Sequence, residues 1–365
     1  MLRECFIVMK IKSILSDGMQ VVRSKKTSAY IEVIGSHNTL LNGMSSKTRQ
    51  TLVATLRKYY TNVNVSMIND MHDLEQLVAK KPDLVVLGMK RIRPELWVAD
   101  YLDNNTITYA GSDALSQALE FDKHKAKQVI IDAGLRSSAF LVSPIAAPGV
   151  SNTLRFPLFV KPTNLGGSKG IDEQSVVYTN AELAAKVASI HDTYACDVLI
   201  EEYLPGREFS VAVVREAQTN TLLSMPIEIT TVADTKGNSF LSKAVKSADI
   251  EEVIPVDDAE LRDRLHALAV GAFEALGARD FGRIDMRLDS DGQPNFIEAN
   301  LMPGLSDHGY LARCFYINQG TSYAGMLQTI IDLGLARRPF AHDLDVPQNS
   351  IGILSVELVD TLPAA

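Results

Sequence analysis

From residue 29 the chain sets short apolar runs against longer amphipathic ones. Tyr30-Ile31-Glu32-Val33-Ile34-Gly35, residues 63–68, Leu84-Val85-Val86-Leu87 and Ile107-Thr108-Tyr109-Ala110-Gly111 read as strands. Residues 45–60, 71–80 and 94–104 read as helices between them. This alternation predicts a parallel sheet with helices on its faces. Ligands of such sheets sit beyond the carboxyl ends of the strands, so Gly35-Ser36-His37-Asn38 and Gly88-Met89-Lys90 are the loops to watch. His37 is a candidate there, although loop histidines are often incidental. Ser112-Asp113 caps a helix expected to run to Ala133, with Gly134 ending it.

The pattern then changes. Residues 137–152, rich in Ser, Pro, Ala and Gly, read as a loop. Residues 156–162 form a strand ending in Lys161, followed by the glycine-rich run 163–170 and a second strand over 175–179. A helix over 181–194 leads to Val198-Leu199-Ile200-Glu201-Glu202-Tyr203-Leu204, which breaks at Pro205-Gly206 before a strand over 207–214. Further on, Gly282-Arg283-Ile284-Asp285-Met286-Arg287-Leu288 alternates with period two, and Asp289-Ser290-Asp291-Gly292 turns the chain into Phe296-Ile297-Glu298-Ala299-Asn300. That predicts a β-hairpin with Asp285 near Glu298 and Asn300.

Two carboxylates and an amide oxygen on one face suit a hard cation such as Mg²⁺, and Arg283 points the same way. The competing reading is a solvated polar face. The glycine run after Lys161 lets backbone amides approach a phosphate, but it is followed by a strand and lacks the spacing of the common phosphate loop. Residues 198–206 read either as a hinge whose edge pairs with a purine, with Glu208 near a ribose, or as a surface turn. The lysines at 123, 125 and 127 read first as a solvated helix face.

The chain has 365 residues, 46% of them apolar, enough for two or three domains with a large core. A net charge of −8 argues against a general nucleic-acid or membrane-surface binder. Cys5, Cys196 and Cys314 are scattered, which points to neither a disulfide framework nor a zinc cluster and fits a reducing cytoplasm. No apolar run approaches the roughly 20 residues of a membrane span, and the charge-interrupted start MLRECFIVMKIKS makes a poor signal peptide.

In order, a Val-Lys-Pro strand end, a Gly/Ser loop, Ile-Glu-Glu-Tyr-Leu-Pro-Gly-Arg-Glu-Phe, Gly-Arg-Ile-Asp and Ile-Glu-Ala-Asn-Leu-Met-Pro-Gly closely resemble the ATP-grasp carboxylate-amine ligases. Among these the chain is similar to the D-alanine–D-alanine ligase family over roughly residues 107–330, Tyr109-Ala110-Gly111-Ser112-Asp113-Ala114-Leu115 included. The resemblance implies an α/β chain with α+β lobes, an ATP-grasp fold behind an N-terminal Rossmann-like parallel-sheet domain. The implied units are an extension (1–28), an N-terminal α/β domain (29–118), a central lid (119–205), a C-terminal domain (206–345) and a tail (346–365).

It further implies that Lys123 and Lys161 contact the phosphates of ATP and that Gly166, Gly167, Ser168 and Gly170 close over them. Glu201 with the backbone of Glu202, Tyr203 and Leu204 would meet adenine, and Glu208 the ribose. Asp285, Glu298 and Asn300 would hold two Mg²⁺ ions. Arg283 and the Gly304 amide would stabilise an oxyanion, with Ser168 in the catalytic loop and Lys246, or Lys243 in a shifted register, on phosphate and substrate. On this basis Lys125 and Lys127 stay solvated. The expected reaction joins the carboxylate of one amino acid to the amine of another through an acyl phosphate, in a homodimeric enzyme.

The substrate loops depart from the family. Gly35-Ser36-His37-Asn38-Thr39-Leu40-Leu41 stands in place of a glutamate-containing run, and Leu87-Gly88-Met89-Lys90-Arg91-Ile92 in place of a second acidic loop. Gly167 stands where a serine is expected, Ser247 replaces a tyrosine, and Gly309 lies near the position of a second serine, with His308 retained. Other acids or amines, as in an L-amino-acid or natural-product dipeptide ligase, therefore remain open, as does an inactive ATP-binding regulator.

Overall fold

The structure, a computed structural model, describes residues 26–37, 43–146, 151–231, 237–238, 240 and 251–337. Strand β1 (Thr27–Gly35), helix α1 (Ser46–Leu56), β2 (Tyr60–Met67), α2 (Met71–Ala79) and β3 (Leu84–Val86) follow one another as the alternating pattern requires. A small hairpin, β4 (Arg91–Arg93) and β5 (Leu96–Trp97), precedes α3 (Val98–Asn104) and β6 (Tyr109–Ala110). The sheet order β2-β1-β3-β6 is parallel throughout.

Three details differ from the expectation. β1 begins at Thr27, inside the stretch expected to be an extension ending at 28, and Thr27 N donates to Tyr59 O at 2.9 Å. The first helix stops at Leu56, and Tyr60, only 1% exposed, already belongs to β2. Residues 94–104 are not one helix. Pro94 sits in the turn of the β4–β5 hairpin, and α3 starts only at Val98.

The helix expected from 114 to 133 is two, α4 (Ala114–Phe121) and α5 (Lys123–Asp132). Asp122 has extended backbone (φ −108°, ψ 92°) and ends one helix while opening the next. The break lets Lys123 N donate to Thr163 O at 3.1 Å, tying α5 to the glycine-rich loop.

A second sheet, order β7-β10-β8-β9, is antiparallel: β7 (Phe140–Ser143), β8 (Leu158–Pro162), β9 (Val176–Val177) and, after α6 (Asn180–Tyr194), β10 (Val198–Glu202). β7 lies inside the stretch expected to be loop. Phe140-Leu141-Val142-Ser143 pairs with the edge of β10, which satisfies backbone groups that would otherwise be buried unpaired. This sheet packs on α6 through its own core, including Val160, Ile200, Leu183, Val187 and Ile190.

The third sheet, order β13-β12-β11-β14-β15, comprises β11 (Glu208–Arg215), β12 (Leu222–Thr230), β13 (Glu252–Pro255), β14 (Phe281–Leu288) and β15 (Pro294–Asn300). Helix α7 (Ala259–Ala275) covers one face, where Leu265, Ala269 and Phe273 meet Phe209, Val211, Ile284 and Met286. Each of the larger of these buried side chains contributes roughly 1.5–3 kcal/mol. Period two sends the intervening residues of β11 and β14 to the opposite face. That face is covered in part by α8 (Tyr310–Gln319) and α9 (Tyr323–Ala336).

Helix α9 also packs on the parallel sheet. Met326, Ile330 and Ile331 share one core with Val33, Leu84, Val214 and Ile227, so the first and third sheets are joined by a common interior. A Cβ added at Gly334 would stand 2.5 Å from Leu84 Cδ1.

Candidate active site

Three rungs of the five-stranded sheet build the centre of the site. Glu208 lies opposite Arg287, Ser210 opposite Asp285, and Ala212 opposite Arg283. On the other side of β14, Asp285 faces Glu298 and Arg283 faces Asn300. The expected hairpin therefore forms in the expected register. A bulge on β15 at Ile297 separates the rung of Asp285 from that of Met286.

Asp285 is the most heavily bonded of these groups. Arg283 grips it with two parallel bonds, Nε to Oδ1 and Nη2 to Oδ2, both 2.9 Å. Asn300 Nδ2 donates to Oδ2 at 3.0 Å and Ser210 Oγ to Oδ1 at 2.5 Å. Burial works against the Arg283 charge, but Asp285 outweighs it and raises the pKa. The guanidinium also lies over the Tyr310 ring, 5.1 Å from its centroid.

Lys161, at the end of β8, and Lys127, on α5, share one carboxylate. Lys161 Nζ is 2.5 Å from Glu201 Oε1, and Lys127 Nζ is 2.9 Å from Oε2. Ser138 Oγ adds a bond to Oε2 at 3.1 Å. Burial alone would raise the Glu201 pKa, yet the two ammonium groups bring it down to about 2. Lys127 is thus not on a solvated face: its side chain is 0% exposed and also reaches Ser137 and Ser138. Lys125 is exposed, as expected, and lies 3.2 Å from Asp122.

Lys123 Nζ donates to Leu165 O at 2.7 Å and stands 3.8 Å from Glu298 Oε2. Its burial lowers the pKa, and Glu298 partly offsets this. The loop it holds has Gly167 (φ 67°), Ser168 (φ 56°) and Gly170 (φ 77°) in the left-handed region. A Cβ at Gly170 would strike Pro162 Cγ at 2.7 Å, whereas Gly166 and Gly167 have open space around them.

Two clefts meet at Glu298. The first, of about 750 Å³, is lined by Lys161, Ser168, Glu201, Glu202, Tyr203, Leu204, Glu208, Asp285 and Glu298 around the apolar surfaces of Phe159, Ile171, Ile229, Phe240 and Ile297. Phe159 and Tyr203 are stacked with ring centroids 6.3 Å apart. Arg287 Nη1 donates to Glu208 Oε2 at 3.1 Å and lies over the Tyr203 ring. An apolar slot edged by a carboxylate and leading to two buried lysines suits a planar base, a sugar and a phosphate chain in that order.

The second cleft, of about 1690 Å³, runs from Glu298, Asn300 and Gly304 past Lys123, Gly166 and Gly167 to the loops after β1 and β3. Among the described residues, the site residues expected from sequence line the two clefts and the rung beside them, except Gly170, which lies against Pro162 and Tyr194. Lys246 and Lys243 lie outside the described residues, as does Ser247.

Arg287, Lys127, Ser210, Glu120 and the aromatic lining were not anticipated. Arg287 carried a readable signal, since it follows Arg283 and Asp285 at the same two-residue spacing. Glu120 did not. It joins Lys90 to the end of β15, where its Oε2 accepts from Leu301 N at 3.0 Å and Met302 N at 3.2 Å.

Residues 143–332 match the family described as D-ala D-ala ligase C-terminus. The chain is 30% identical over 295 residues to a D-alanine–D-alanine ligase of Hydrogenovibrio crunogenus, a match covering 78% of this chain and 90% of that protein. It is 31% identical over 234 residues to an uncharacterized protein, y4sG, of Sinorhizobium fredii, covering 63% and 67% of the two. In fold it is similar to the D-alanine–D-alanine ligase of Bacillus anthracis complexed with ATP, with a TM-score of 0.65 and 24% identity over 84% of this chain and 98% of that one. No helix among the described residues is long and apolar enough to cross a membrane. With more than half of the chain matching the family and the motifs of its clefts in the family's order, the protein belongs to the D-alanine–D-alanine ligase family and is an ATP-dependent ligase of the ATP-grasp fold.

Proposed function

We propose that this ligase transfers the γ-phosphoryl group of ATP to a carboxylate and joins the resulting acyl phosphate to an amine, releasing ADP and phosphate. The observation that carries this reading is the position of Glu298, which lines both clefts beside the Arg283–Asp285 pair. A nucleotide in one cleft and an acid in the other would meet there. Lys123 and Lys161 would hold phosphate oxygens, the loop from Gly166 to Gly170 would exclude water, and Glu208 would bind the ribose. Adenine would take its hydrogen bonds from the backbone of Glu202, Tyr203 and Leu204 other than the Glu202 and Tyr203 amides, which donate to Ala139 O and Pro157 O, because the Glu201 carboxylate is engaged by lysines. Arg283 and the Gly304 amide would stabilise the tetrahedral oxyanion formed when the amine attacks. Lys246 would meet the phosphate being transferred.

Asp285, Glu298 and Asn300 offer only oxygen to a cation, a donor set that fits Mg²⁺. Two ions held by them would neutralise charge on the phosphate oxygens. Among the described residues no group of three or more His, Cys, Asp or Glu stands together, so the amide of Asn300 is needed to complete the set.

The acid and amine are amino acids in this reading, with the altered loops favouring a pair other than two D-alanines. The test is ADP release from ATP and Mg²⁺ across single D- and L-amino acids, other acids and their pairs, with mass spectrometry of the products. A condensed amide formed together with ADP is expected. Tight ATP binding with no turnover on any pair would overturn the reading in favour of a binding protein.

A further inference from the structure

An α-amino acid brings an ammonium group into its site, and a buried ammonium requires an opposing carboxylate or several oxygen acceptors. The larger cleft is poor in such carboxylates where the parallel sheet closes it. Neither the described residues 35–37 and 43 after β1 nor residues 87–93 after β3 include Asp or Glu. Among the described residues lining the cleft, the acids are Glu120 and Glu298. Glu120 is committed to Lys90 and to two backbone amides, and Glu298 stands beside Lys123.

Arg91 has the opposite character. It lines the same cleft, and its register partner in the β4–β5 hairpin is Trp97. Among the described residues its guanidinium meets two aromatic faces, Phe121 at 3.9 Å from the centroid and Trp97 at 5.5 Å, and no carboxylate. Stacking fixes the plane of a guanidinium and leaves its in-plane N–H donors unspent, in the fork that matches a carboxylate. Ser45 and Thr48, at the start of α1, line the cleft as well, and the first turn of that helix holds no acidic residue. The helix end therefore adds to the positive potential.

We infer that Arg91 binds a second carboxylate of the acid substrate, so that the acid this enzyme joins is a dicarboxylic acid. The inference rests on the ligase reading above, keeping its acyl-phosphate chemistry and replacing the amino acid on the acid side with a dicarboxylic acid. One carboxylate reacts beside Glu298 and Arg283, and the other is gripped by Arg91 at the parallel-sheet end of the same cleft. An acid without the second anion fills the cleft and leaves this half-buried cation unpaired, which selects against it.

The test uses Trp97, the one tryptophan of the sequence and the ring against which Arg91 rests. Its emission is followed while the full-length protein, with and without ATP and Mg²⁺, is titrated with succinate, glutarate, acetate and D-alanine at constant ionic strength. A saturable change is expected with succinate or glutarate at concentrations about tenfold or more below any response to acetate or D-alanine, roughly one good charged contact. R91Q should abolish that preference while ATP binding, measured by calorimetry, is unchanged. Equal responses to acetate, D-alanine and the dicarboxylates, or a preference that survives R91Q, overturns the inference. ADP release measured on the same samples after a panel of amino acids is added as amines separates the two readings, since a protein that turns nothing over while preferring dicarboxylates through Arg91 loses the acyl-phosphate reaction proposed above and keeps the dicarboxylate site.

Discussion

Lys127 Nζ lies 2.9 Å from Glu201 Oε2, inside the protein, on the opposite side of the carboxylate from Lys161. Glu201 therefore orients the lysine that faces the first cleft and at the same time ties α5 to β10. Glu201→Ala leaves two buried ammonium groups with no anion between them, and breaking a buried pair costs about 3–5 kcal/mol. Thermal melts should show a large drop for Glu201→Ala and a smaller one for Lys127→Met, in which Glu201 keeps Lys161. Equal melting of wild type and Glu201→Ala would remove this network from the account of stability.

The same carboxylate sets an acid limit. Its folded pKa, about 2, lies below the ordinary 4.5, so its contribution is fully present above about pH 4.5 and is lost as pH falls toward 2. Urea unfolding at about pH 5, 4 and 3 should show wild type losing stability faster than Glu201→Gln, which has no proton to take up there. Parallel losses in the two proteins would assign the acid sensitivity to other groups.

Replacing Glu298 by Gln keeps the shape of the rung opposite Asp285 and removes its charge. ADP release should fall by about a hundredfold or more, the scale of losing one preorganised electrostatic contact in such a site. Circular dichroism should be unchanged, because Glu298 is partly exposed at the cleft. Undiminished release of ADP would remove Glu298 from the proposed metal set.

Gly88 is a packing requirement. A Cβ there would lie 2.0 Å from Ile34 O, so Gly88→Ala must push β1 away from the β3 loop. Overpacking of this kind costs about 1–3 kcal/mol. Gly88 O also accepts from Met44 N, at the entrance to α1, and the larger cleft should be distorted with it. A melting temperature equal to that of wild type would show that the loop yields without cost.

What was legible in the sequence was local or periodic. The rungs of Arg283, Asp285, Glu298 and Asn300 followed from a two-residue period and a short turn, both carried within 20 residues of chain. Lys127 shows the opposite case. Its neighbours Lys123 and Lys125 made a charged helix face, and nothing nearby signals that Glu201, on another sheet, would draw it inside. The break at Asp122 was readable as a second capping position but was masked by good helix formers on both sides. Strand β7 was hidden because Ser, Pro, Ala and Gly around it dominate the composition. Arg91 and Trp97 come together only because a two-stranded ribbon forms where a helix was expected.

The wedge made by α9 has a mechanical consequence. Arg91 stands on the β4–β5 ribbon, which packs on the parallel sheet through Ile92 and Leu96, and the parallel sheet shares one interior with the sheet bearing Glu298; a close-packed interior transmits force as a single body. The plate bearing Lys161 has an interior of its own. It leaves β10 for β11 through a connection where Gly206 N meets Leu288 O at 3.0 Å. On the proposed reading, lifting that plate to exchange nucleotide would stretch polar ties such as Lys123 to Leu165 and leave the span between Arg91 and Glu298 unchanged. Admission of nucleotide and recognition of the acid would then be mechanically independent.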